Sequence, residues 1–329
     1  MKLAIVILNW NGKKLLEQFL PSIIEYSKEA TIYAADNAST DESVDYIKTH
    51  FPSIQIIKNK ENGGFAKGYN EALQQIDAEV FCLLNNDVEV TANWLIPVLD
   101  TFQNEDNTAI IQPKILDYKR KDYFEYAGAG GGFIDKFGYP YCRGRIFNTI
   151  EKDNGQYNYT DDIFWASGAC LFVRSNVFKT LKGFDEAFFA HMEEIDFCWR
   201  AKNLGYSIKY VGASTIFHVG GATLSNTSPK KTYLNFRNSL YTLVKNASGN
   251  LLYLVFVRLI LDGIAGMKFL FELKPQHTLA IVKSHLTFYS HLSKLLKQRK
   301  TQTKTTIYYS KKSIIWSYFI AKKRYFKSL

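Results

Sequence analysis

The first 112 residues alternate short apolar runs with segments whose apolar residues recur every three or four positions. Residues 3–8 form the first run, and residues 15–24 form the first helical segment. Further runs cover 31–35, 54–58, 80–84 and 109–112. Short apolar strands that alternate with amphipathic helices build parallel sheets. The pattern therefore predicts an α/β fold with a mostly parallel central sheet flanked by helices.

The charge of the chain is distributed unevenly. Its formal net charge is +10, but residues 251–329 carry 15 Lys or Arg against only Asp262 and Glu272, while the first 250 residues carry 26 basic and 29 acidic side chains. A mildly acidic body with a strongly basic tail is typical of peripheral membrane proteins rather than of nucleic-acid-binding proteins. We therefore expect an anionic membrane surface, and no nucleic acid, as a partner.

The four cysteines are widely separated and form no C-x-x-C pair. Their mostly apolar surroundings predict buried free thiols in a reducing cytosol. The apolar run at 3–8 is too short for the core of a signal peptide. These features favour a cytoplasmic location.

Polar residues follow several predicted strands at their carboxyl ends, where parallel sheets bind ligands. Asp36, the segment 62–64 and Asp87 all lie at such ends. Asp87 closes an Asn-Asn-Asp sequence, and its carboxylate is suited to hold a divalent cation against a leaving diphosphate. The alternative is a simple turn, since Asn and Asp are common turn residues. Asp36 is suited either to accept hydrogen bonds from a nucleoside or to cap the next turn.

The segment 62–70 resembles a phosphate-approach loop that opens a helix, with Lys67 available as a charge. It lacks the spacing of a P-loop and of the G-x-G-x-x-G fingerprint, which disfavours ATPases and dehydrogenases. Farther on, His218 follows a short strand over 214–217. It is suited to bind a metal or a phosphate, although a lone histidine is more often structural.

A helix predicted from residue 193 opens with two neighbouring acids, Glu193 and Glu194. Helical neighbours diverge by about 100°, so both cannot address one substrate atom. Asp196 and Arg200 have the spacing of a structural ion pair. Glu194 is therefore the freer carboxylate and the better candidate for a proton acceptor. The alternative is a solvated acidic helix start.

The tail contains a nearly apolar stretch at 251–271. At about 100° per residue, Arg258, Asp262, Lys268 and Glu272 fall within one third of the helix circumference. Such a stripe disfavours a membrane-spanning helix and favours a helix in the membrane interface, with a second amphipathic segment at 277–300. The alternative is that the charged face packs on the catalytic body.

Five segments resemble, in order and spacing, those of the family 2 inverting glycosyltransferases, and most of all the rhamnosyltransferase-like branch. They are VILNWNG (6–12), ADNASTD (35–41), NGGFAKGYN (62–70), NND (85–87) and EEIDFCWR (193–200). The resemblance spans about residues 1 to 245. It implies a GT-A (Rossmann-like) catalytic domain over 1–245, followed by a basic, amphipathic helical membrane-associating region over 246–329.

The resemblance also implies roles for individual residues. It makes Glu194 the catalytic base, with Glu193 as the contender because the family usually has Glu-Asp here, and it places a Mg²⁺ or Mn²⁺ ion at Asp87 and His218. The metal motif is Asn-Asn-Asp instead of Asp-x-Asp, which leaves one firm carboxylate ligand. The residues expected to bind the donor are Asn9, Asp36, Asn62, Gly63, Gly64, Lys67, Asn70 and Asn86.

The implied reaction is transfer of a sugar, with inversion, from a nucleoside-diphosphate donor, possibly similar to dTDP-rhamnose. The expected acceptor is a hydroxyl of a saccharide or polyprenyl-linked saccharide in cell-surface polysaccharide synthesis, at the inner face of the plasma membrane. A sugar nucleotidyltransferase and a non-catalytic nucleotide-binding scaffold at the membrane surface are the alternatives. A glycosidase is disfavoured because it has no use for a nucleoside pocket.

Overall fold

The computed structural model describes residues 1–220, 228–300 and 307–329. Within these ranges the strands are β1 (Leu3–Asn9), β2 (Ala30–Asp36), β3 (Gln55–Lys58), β4 (Val80–Asn85), β5 (Val88–Val90), β6 (Thr108–Asp117), β7 (Gly132–Ile134), β8 (Pro140–Cys142), β9 (Arg145–Ile146), β10 (Thr149–Ile150), β11 (Thr160–Asp162), β12 (Cys170–Arg174) and β13 (Ser207–His218). The helices are α1 (Lys13–Tyr26), α2 (Ser43–His50), α3 (Gly64–Leu73), α4 (Ile96–Asn104), α5 (Ser175–Thr180), α6 (Glu193–Asn203), α7 (Pro229–Asn246), α8 (Leu251–Phe271) and α9 (Pro275–Lys300).

The large sheet has the strand order β11-β13-β6-β12-β4-β1-β2-β3, with β5 paired to β13. The strands β4, β1, β2 and β3 are parallel neighbours, and β6 is parallel to β13. β12 runs antiparallel between β4 and β6. The predicted α/β architecture, with a mostly parallel central sheet flanked by helices, is confirmed.

Alternation along β1 shows why helices cover both faces of this sheet. Ile5 and Ile7 pack in one cluster with Leu16 of α1, whereas Val6 packs in the opposite cluster with Tyr69 of α3. Successive strand residues point to opposite faces, so an uninterrupted apolar run needs an apolar cover on each side. Two cores, one per face, hold the strand ends in fixed positions.

The glycine-rich region after β6 forms a small antiparallel sheet with the order β10-β9-β8-β7. At Gly132, a Cβ atom would lie 2.0 Å from the ring of Trp165, so only glycine fits there. Gly132 joins this sheet to the rest of the chain, since its N–H donates to the carbonyl of Trp165 at 3.1 Å.

The tail packs on the body through its charged side. Arg258 Nε donates to Asp262 Oδ1 at 2.8 Å, Tyr139 donates its hydroxyl to the same carboxylate at 2.7 Å, and Arg258 also donates to the carbonyl of Phe137. Arg258 and Asp262 are buried. Arg258 and Asp262 therefore pack on the body of the protein, as the alternative interpretation of the charged stripe predicted. The second expected pair, Lys268 with Glu272, is present at 3.6 Å.

The outward side of α8 is apolar. Several large side chains are largely exposed along it and at the turn that follows, including Leu252, Phe256, Ile264, Phe271 and Leu273. No helix within the described ranges is both long enough and apolar enough to cross a bilayer. In its first half, α8 thus has an arrangement opposite to that of a typical soluble amphipathic helix, because Arg258 and Asp262 are buried and the apolar side faces outward.

The predicted boundary between residues 245 and 246 falls at the end of α7. Helix α9 lies along α7, and the buried Lys245 binds Asp185 at 2.7 Å. The separation into a catalytic and a membrane-associating region remains a prediction. All four cysteines are buried free thiols, as predicted.

Candidate active site

Three adjacent parallel strands bring polar residues to one edge of the sheet. Asn9 at the end of β1 is aligned with Asp36 at the end of β2, and Leu8 is aligned with Asn85 at the end of β4. Asn86 and Asp87 follow directly in the turn between β4 and β5. The parallel register therefore gathers residues that are up to about 80 positions apart in the chain.

A chain of amide and hydroxyl bonds connects these strand ends. Asn86 Nδ2 donates to Asn9 Oδ1 at 3.0 Å, and Asn9 Nδ2 donates to Ser39 Oγ at 3.3 Å. The backbone N–H of Ser39 donates to Asp36 Oδ2 at 3.1 Å. Asp36 thus caps its turn with one oxygen, while Oδ1 is buried without a hydrogen-bond partner among the described residues. That unsatisfied acceptor suits a ligand hydroxyl or N–H.

Asn62 and Gly64 shape the start of α3. Asn62 Oδ1 accepts from the backbone N–H of Gly64 at 3.0 Å and from Asn37 Nδ2 at 3.3 Å. Gly64 has φ +70°, and a Cβ there would lie 2.5 Å from the carbonyl oxygen of Phe189. A glycine is required because the loop before α3 touches the segment before α6 without room for a side chain. Gly63 directly precedes α3 as its N-cap.

Two further donor candidates have other partners. Lys67 forms ion pairs with Glu61 and Glu71. Asn70 donates to the carbonyl of Phe184 and accepts from its N–H, both at 2.9 Å. Their donor-binding roles stay predictions, and these contacts give Asn70 a structural role in joining α3 to the segment before α6.

Asp87 and His218 come together from β5 and β13, which are antiparallel neighbours. His218 Nε2 lies 3.1 Å from Asp87 Oδ1, and both side chains are buried. Burial alone would lower the pKa of His218. The nearby carboxylates of Asp87 and Glu125 have the larger, opposite effect and raise this pKa to about 10. Burial opposes ionisation of Asp87 too, yet its hydrogen bond to His218 lowers its pKa.

The pair fits a divalent ion as two of its ligands once the ion displaces the proton from His218 Nε2, because a ligating imidazole is neutral. The ring nitrogen and the carboxylate oxygen are 3.1 Å apart, which is close enough for one ion to bind both. In the described part of the chain, no group of three or more His, Cys, Asp or Glu side chains is arranged to hold a metal. An ion at Asp87 and His218 would therefore need substrate phosphate and water for its other positions, as Mg²⁺ commonly does.

Glu125 was not predicted from the sequence. It is buried, its Oε2 accepts from the N–H of Ala127, and its Oε1 lies 3.5 Å from His218 Nδ1. A carboxylate on the far nitrogen orients a ligating imidazole. Glu125 lies in the aromatic-rich stretch after residue 113, where no periodicity or motif marks it.

Glu193 and Glu194 begin α6. One oxygen of each carboxylate, Oε2, is buried without a hydrogen-bond partner among the described residues. Burial and the charge of Glu194 raise the pKa of Glu193 well above its usual range. Burial raises the pKa of Glu194 to about 7, although N–H groups at the helix start favour its charged form. Glu194 is thus the acid of the pair that changes charge near neutral pH.

The segment before α6 is strained and is held from α7. Phe189, His191 and Met192 have positive φ angles, which non-glycine residues rarely adopt. Asn238 Nδ2 lies within hydrogen-bond distance of the carbonyls of Phe188, Ala190 and His191, at 3.1, 2.9 and 2.7 Å. Such strain persists where surrounding contacts enforce it, often at functional sites. Asn238 was missed because its partners are backbone atoms almost 50 residues away.

The thiol of Cys142 is within electrostatic range of one acid from each half of the site. Burial raises the pKa of its thiol to about 11, and the charges of Glu125 and Glu194 add to the effect. Both carboxylates therefore act on one thiol, and Glu125 contacts His218, which contacts Asp87. Asn37 Nδ2 also donates to the carbonyl of Gly64 at 2.9 Å, and Gly64 lies against the carbonyl of Phe189, so the strand ends and the segment that leads into Glu193 are neighbours.

Comparisons with known proteins identify the family and the fold of the chain. The model of Glycosyl transferase family 2 matches residues 4–181, more than half of the chain. The chain belongs to this family, and it is a glycosyltransferase of GT-A fold.

Two curated relatives are similar over most of their length. An N-acetylglucosaminyl-diphospho-decaprenol L-rhamnosyltransferase of Mycobacterium tuberculosis is 24% identical over 235 residues, which cover 66% of this chain and 75% of the relative. The low-salt glycan biosynthesis hexosyltransferase Agl10 of Haloferax volcanii is 26% identical over 242 residues, which cover 72% of this chain and 73% of the relative.

Among solved structures, GalNAc-T7 with UDP, GalNAc and Mn²⁺ has the same fold, with a TM-score of 0.58 and 15% identity. The match covers 74% of this chain and 48% of that protein, so this chain corresponds to about half of GalNAc-T7.

Proposed function

We propose that this chain transfers a hexose, such as rhamnose from a dTDP-linked donor, with inversion to a hydroxyl of a saccharide or polyprenyl-linked saccharide in cell-surface glycan synthesis. One observation carries the proposal. The hydrogen-bonded strand ends beside the Asp87–His218 pair contact, through Asn37 and Gly64, the segment that leads into the Glu193–Glu194 pair. One pair suits a leaving diphosphate, and the other suits an incoming alcohol.

In this mechanism Glu194 accepts the proton of the acceptor hydroxyl. The acceptor oxygen forms a bond to the anomeric carbon as the bond from that carbon to the diphosphate oxygen breaks, and the electron pair leaves with the diphosphate. A divalent ion, when bound at Asp87 and His218, stabilises the negative charge that develops there. Glu193 favours its protonated form because burial and the charge of Glu194 raise its pKa.

The donor is proposed to bind at the hydrogen-bonded carboxyl ends of β1, β2 and β4. Asp36 offers its unsatisfied Oδ1 to the nucleoside, and Asn9 and Asn86 are aligned beside it. The segment over 62–64 forms the wall toward the segment before α6. The name of the mycobacterial relative includes a diphospho-decaprenol substrate, which supports a lipid-linked acceptor for this chain.

A donor screen tests the reaction. Full-length protein is incubated with a panel of nucleoside diphosphate sugars, with and without Mn²⁺, and products are detected by mass spectrometry. We expect release of nucleoside diphosphate and a product of inverted configuration. Release of pyrophosphate would instead identify a nucleotidyltransferase. Absence of transfer and of donor hydrolysis across the panel would favour a non-catalytic scaffold.

We also propose that the tail rests on the cytoplasmic face of an anionic plasma membrane. The exposed apolar face of α8 supports this, together with the basic side chains that follow it. Apolar side chains at the acyl boundary combined with lysines at the headgroups are the features of an interfacial helix. The partner is a bilayer rather than a second copy because the tail carries 15 basic residues against two acidic ones, and two such surfaces repel.

A further inference from the structure

An open groove of about 510 Å³ lies between the start of α7 and α9. Its walls are apolar along most of their length, and two cationic side chains flank them. The lining residues that matter are Pro229, Leu234, Leu279, Ala280, Lys230 and Lys283. The groove therefore combines a surface for hydrocarbon with two positive charges.

Neither lysine has a carboxylate partner in the described ranges, and both side chains are exposed. Their charged groups lie over aromatic rings instead, with Lys230 Nζ 5.4 Å from the ring centre of Phe189 and Lys283 Nζ 5.8 Å from that of Tyr233. A lysine without a protein anion is available for a phosphate. Two such lysines beside an apolar wall suit an amphiphile with a doubly charged head.

The groove is built before any ligand arrives. Thr232 Oγ1 lies 2.7 Å from His277 Nδ1, and Tyr233 donates its hydroxyl to Thr287 Oγ1 at 3.2 Å. These bonds join α7 to α9 on either side of the lining residues. A groove whose walls are already fixed loses less conformational entropy when it binds a ligand.

One end of the groove, at Lys230, lies against the segment that precedes α6. Phe189, which contacts Lys230, accepts a hydrogen bond from the N–H of Phe65 at the start of α3. Glu193 begins α6 four residues after Phe189. The exposed apolar residues Leu279, Val282 and Leu286 lie along α9 on either side of Lys283. A ligand held by Lys230 would thus have its head beside the segment that leads into Glu193 and its chain along the apolar residues of α9.

We propose that this groove binds the diphosphate and the first isoprenoid units of the lipid-linked acceptor. Lys230 and Lys283 bind the diphosphate, the apolar wall holds the chain, and the acceptor sugar is thereby directed toward Glu194. The identity of the ligand as an acceptor rests on the proposed function, whereas the binding of an isoprenoid diphosphate does not.

Binding of farnesyl diphosphate to full-length protein tests the proposal. It is measured by equilibrium dialysis in EDTA, so that no metal recruits the diphosphate to Asp87 and His218. Wild-type protein should bind farnesyl diphosphate more tightly than farnesol, which lacks the charges, or inorganic diphosphate, which lacks the chain. The double variant Lys230→Gln/Lys283→Gln should bind farnesyl diphosphate about tenfold more weakly, since each substitution removes one charge-assisted contact to the diphosphate.

The matched control is Lys294→Gln/Lys297→Gln, which removes the same charge from exposed positions of α9 outside the groove. Its affinity should equal that of the wild type. Equal affinity of all three proteins for farnesyl diphosphate would overturn the proposal, as would a loss of affinity in the control that matches the loss in the groove variant. Because no sugar is transferred in this assay, a negative donor screen would reject the proposed function without altering this result.

Discussion

His218 Nε2 lies 3.1 Å from Asp87 Oδ1, although the two residues are 131 positions apart in the chain. The antiparallel pairing of β5 with β13 sets this distance, since His218 is aligned with Val88, the residue after Asp87. Glu125 contacts the other imidazole nitrogen. The contact between Asp87 and His218 therefore depends on strand pairing and on the orientation of the imidazole ring. If Asn-Asn-Asp were only a turn, neither would be needed.

Asp87→Asn should lower kcat/KM for sugar transfer by about 100- to 1000-fold, because the amide cannot offset the charge of the departing diphosphate. Mn²⁺ affinity, measured by the loss of free-ion EPR signal on titration, should fall in parallel. Asp122→Asn, at an exposed acid paired with Lys152, is the control and should change neither quantity. Full transfer activity in Asp87→Asn would remove this residue from the mechanism.

Glu194→Gln should abolish turnover and leave the dissociation constant for the donor largely unchanged, because the amide has nearly the same shape but accepts no proton. Glu193→Gln should retain most of the activity, since the carboxyl it replaces is already neutral. Single-turnover kinetics and donor binding by calorimetry separate the two effects. The reverse result, with Glu193→Gln inactive and Glu194→Gln active, would exchange the roles.

The pH dependence of transfer should follow Glu194. Its pKa is raised to about 7, so the base is protonated and inactive below that value. The logarithm of kcat/KM should therefore rise with unit slope up to about pH 7 and then level. This limb should persist in Glu193→Gln, which keeps the base. A limb near the ordinary glutamate value of 4.5 would show that the active base is not a buried carboxyl.

The parallel half of the fold was predictable because its signal is local. Each strand from β1 to β4 is a short apolar run, and α1 shows the period of a helix with one buried face. The extension of β13 upstream to Ser207 was not predicted. Polar residues such as Lys209 and Ser214 interrupt its apolar pattern, and pairing with β6 and β11 compensates for them.

The site was only partly predictable for a related reason. Asp36 and Asp87 follow apolar strands, so their place at the sheet edge could be inferred from the chain alone. Glu125 and Asn238 act through contacts with His218 and with backbone carbonyls, and no local pattern encodes such partners. The sequence also did not predict which side of α8 packs on the body. A charged stripe defines one face of a helix but does not show whether that face contacts water or protein.

Asp262→Ala should destabilise the protein by about 3–5 kcal/mol, because it leaves the buried charge of Arg258 without its partner. Thermal unfolding followed by circular dichroism measures the loss. The double variant Arg258→Met/Asp262→Leu should be clearly more stable than Asp262→Ala, since it removes both charges. Lys268→Ala/Glu272→Ala, at an exposed pair on the same helix, should leave the melting temperature unchanged. An unchanged melting temperature in Asp262→Ala would contradict the docking of α8 on the body.

The outward face of α8 should carry the membrane affinity. We expect Phe256→Ser/Ile260→Ser/Ile264→Ser to reduce sedimentation with vesicles of phosphatidylglycerol and phosphatidylethanolamine, because these exposed side chains lose the gain from burial in the acyl boundary. Point variants are preferable to removal of 251–329, since α9 covers α7. Ile96→Ser/Leu204→Ser, at exposed apolar positions of the body, is the control and should bind as the wild type does. If the α8 variant keeps its vesicle binding but changes a dimer to a monomer in sedimentation velocity, this face binds a second copy of the chain instead of lipid.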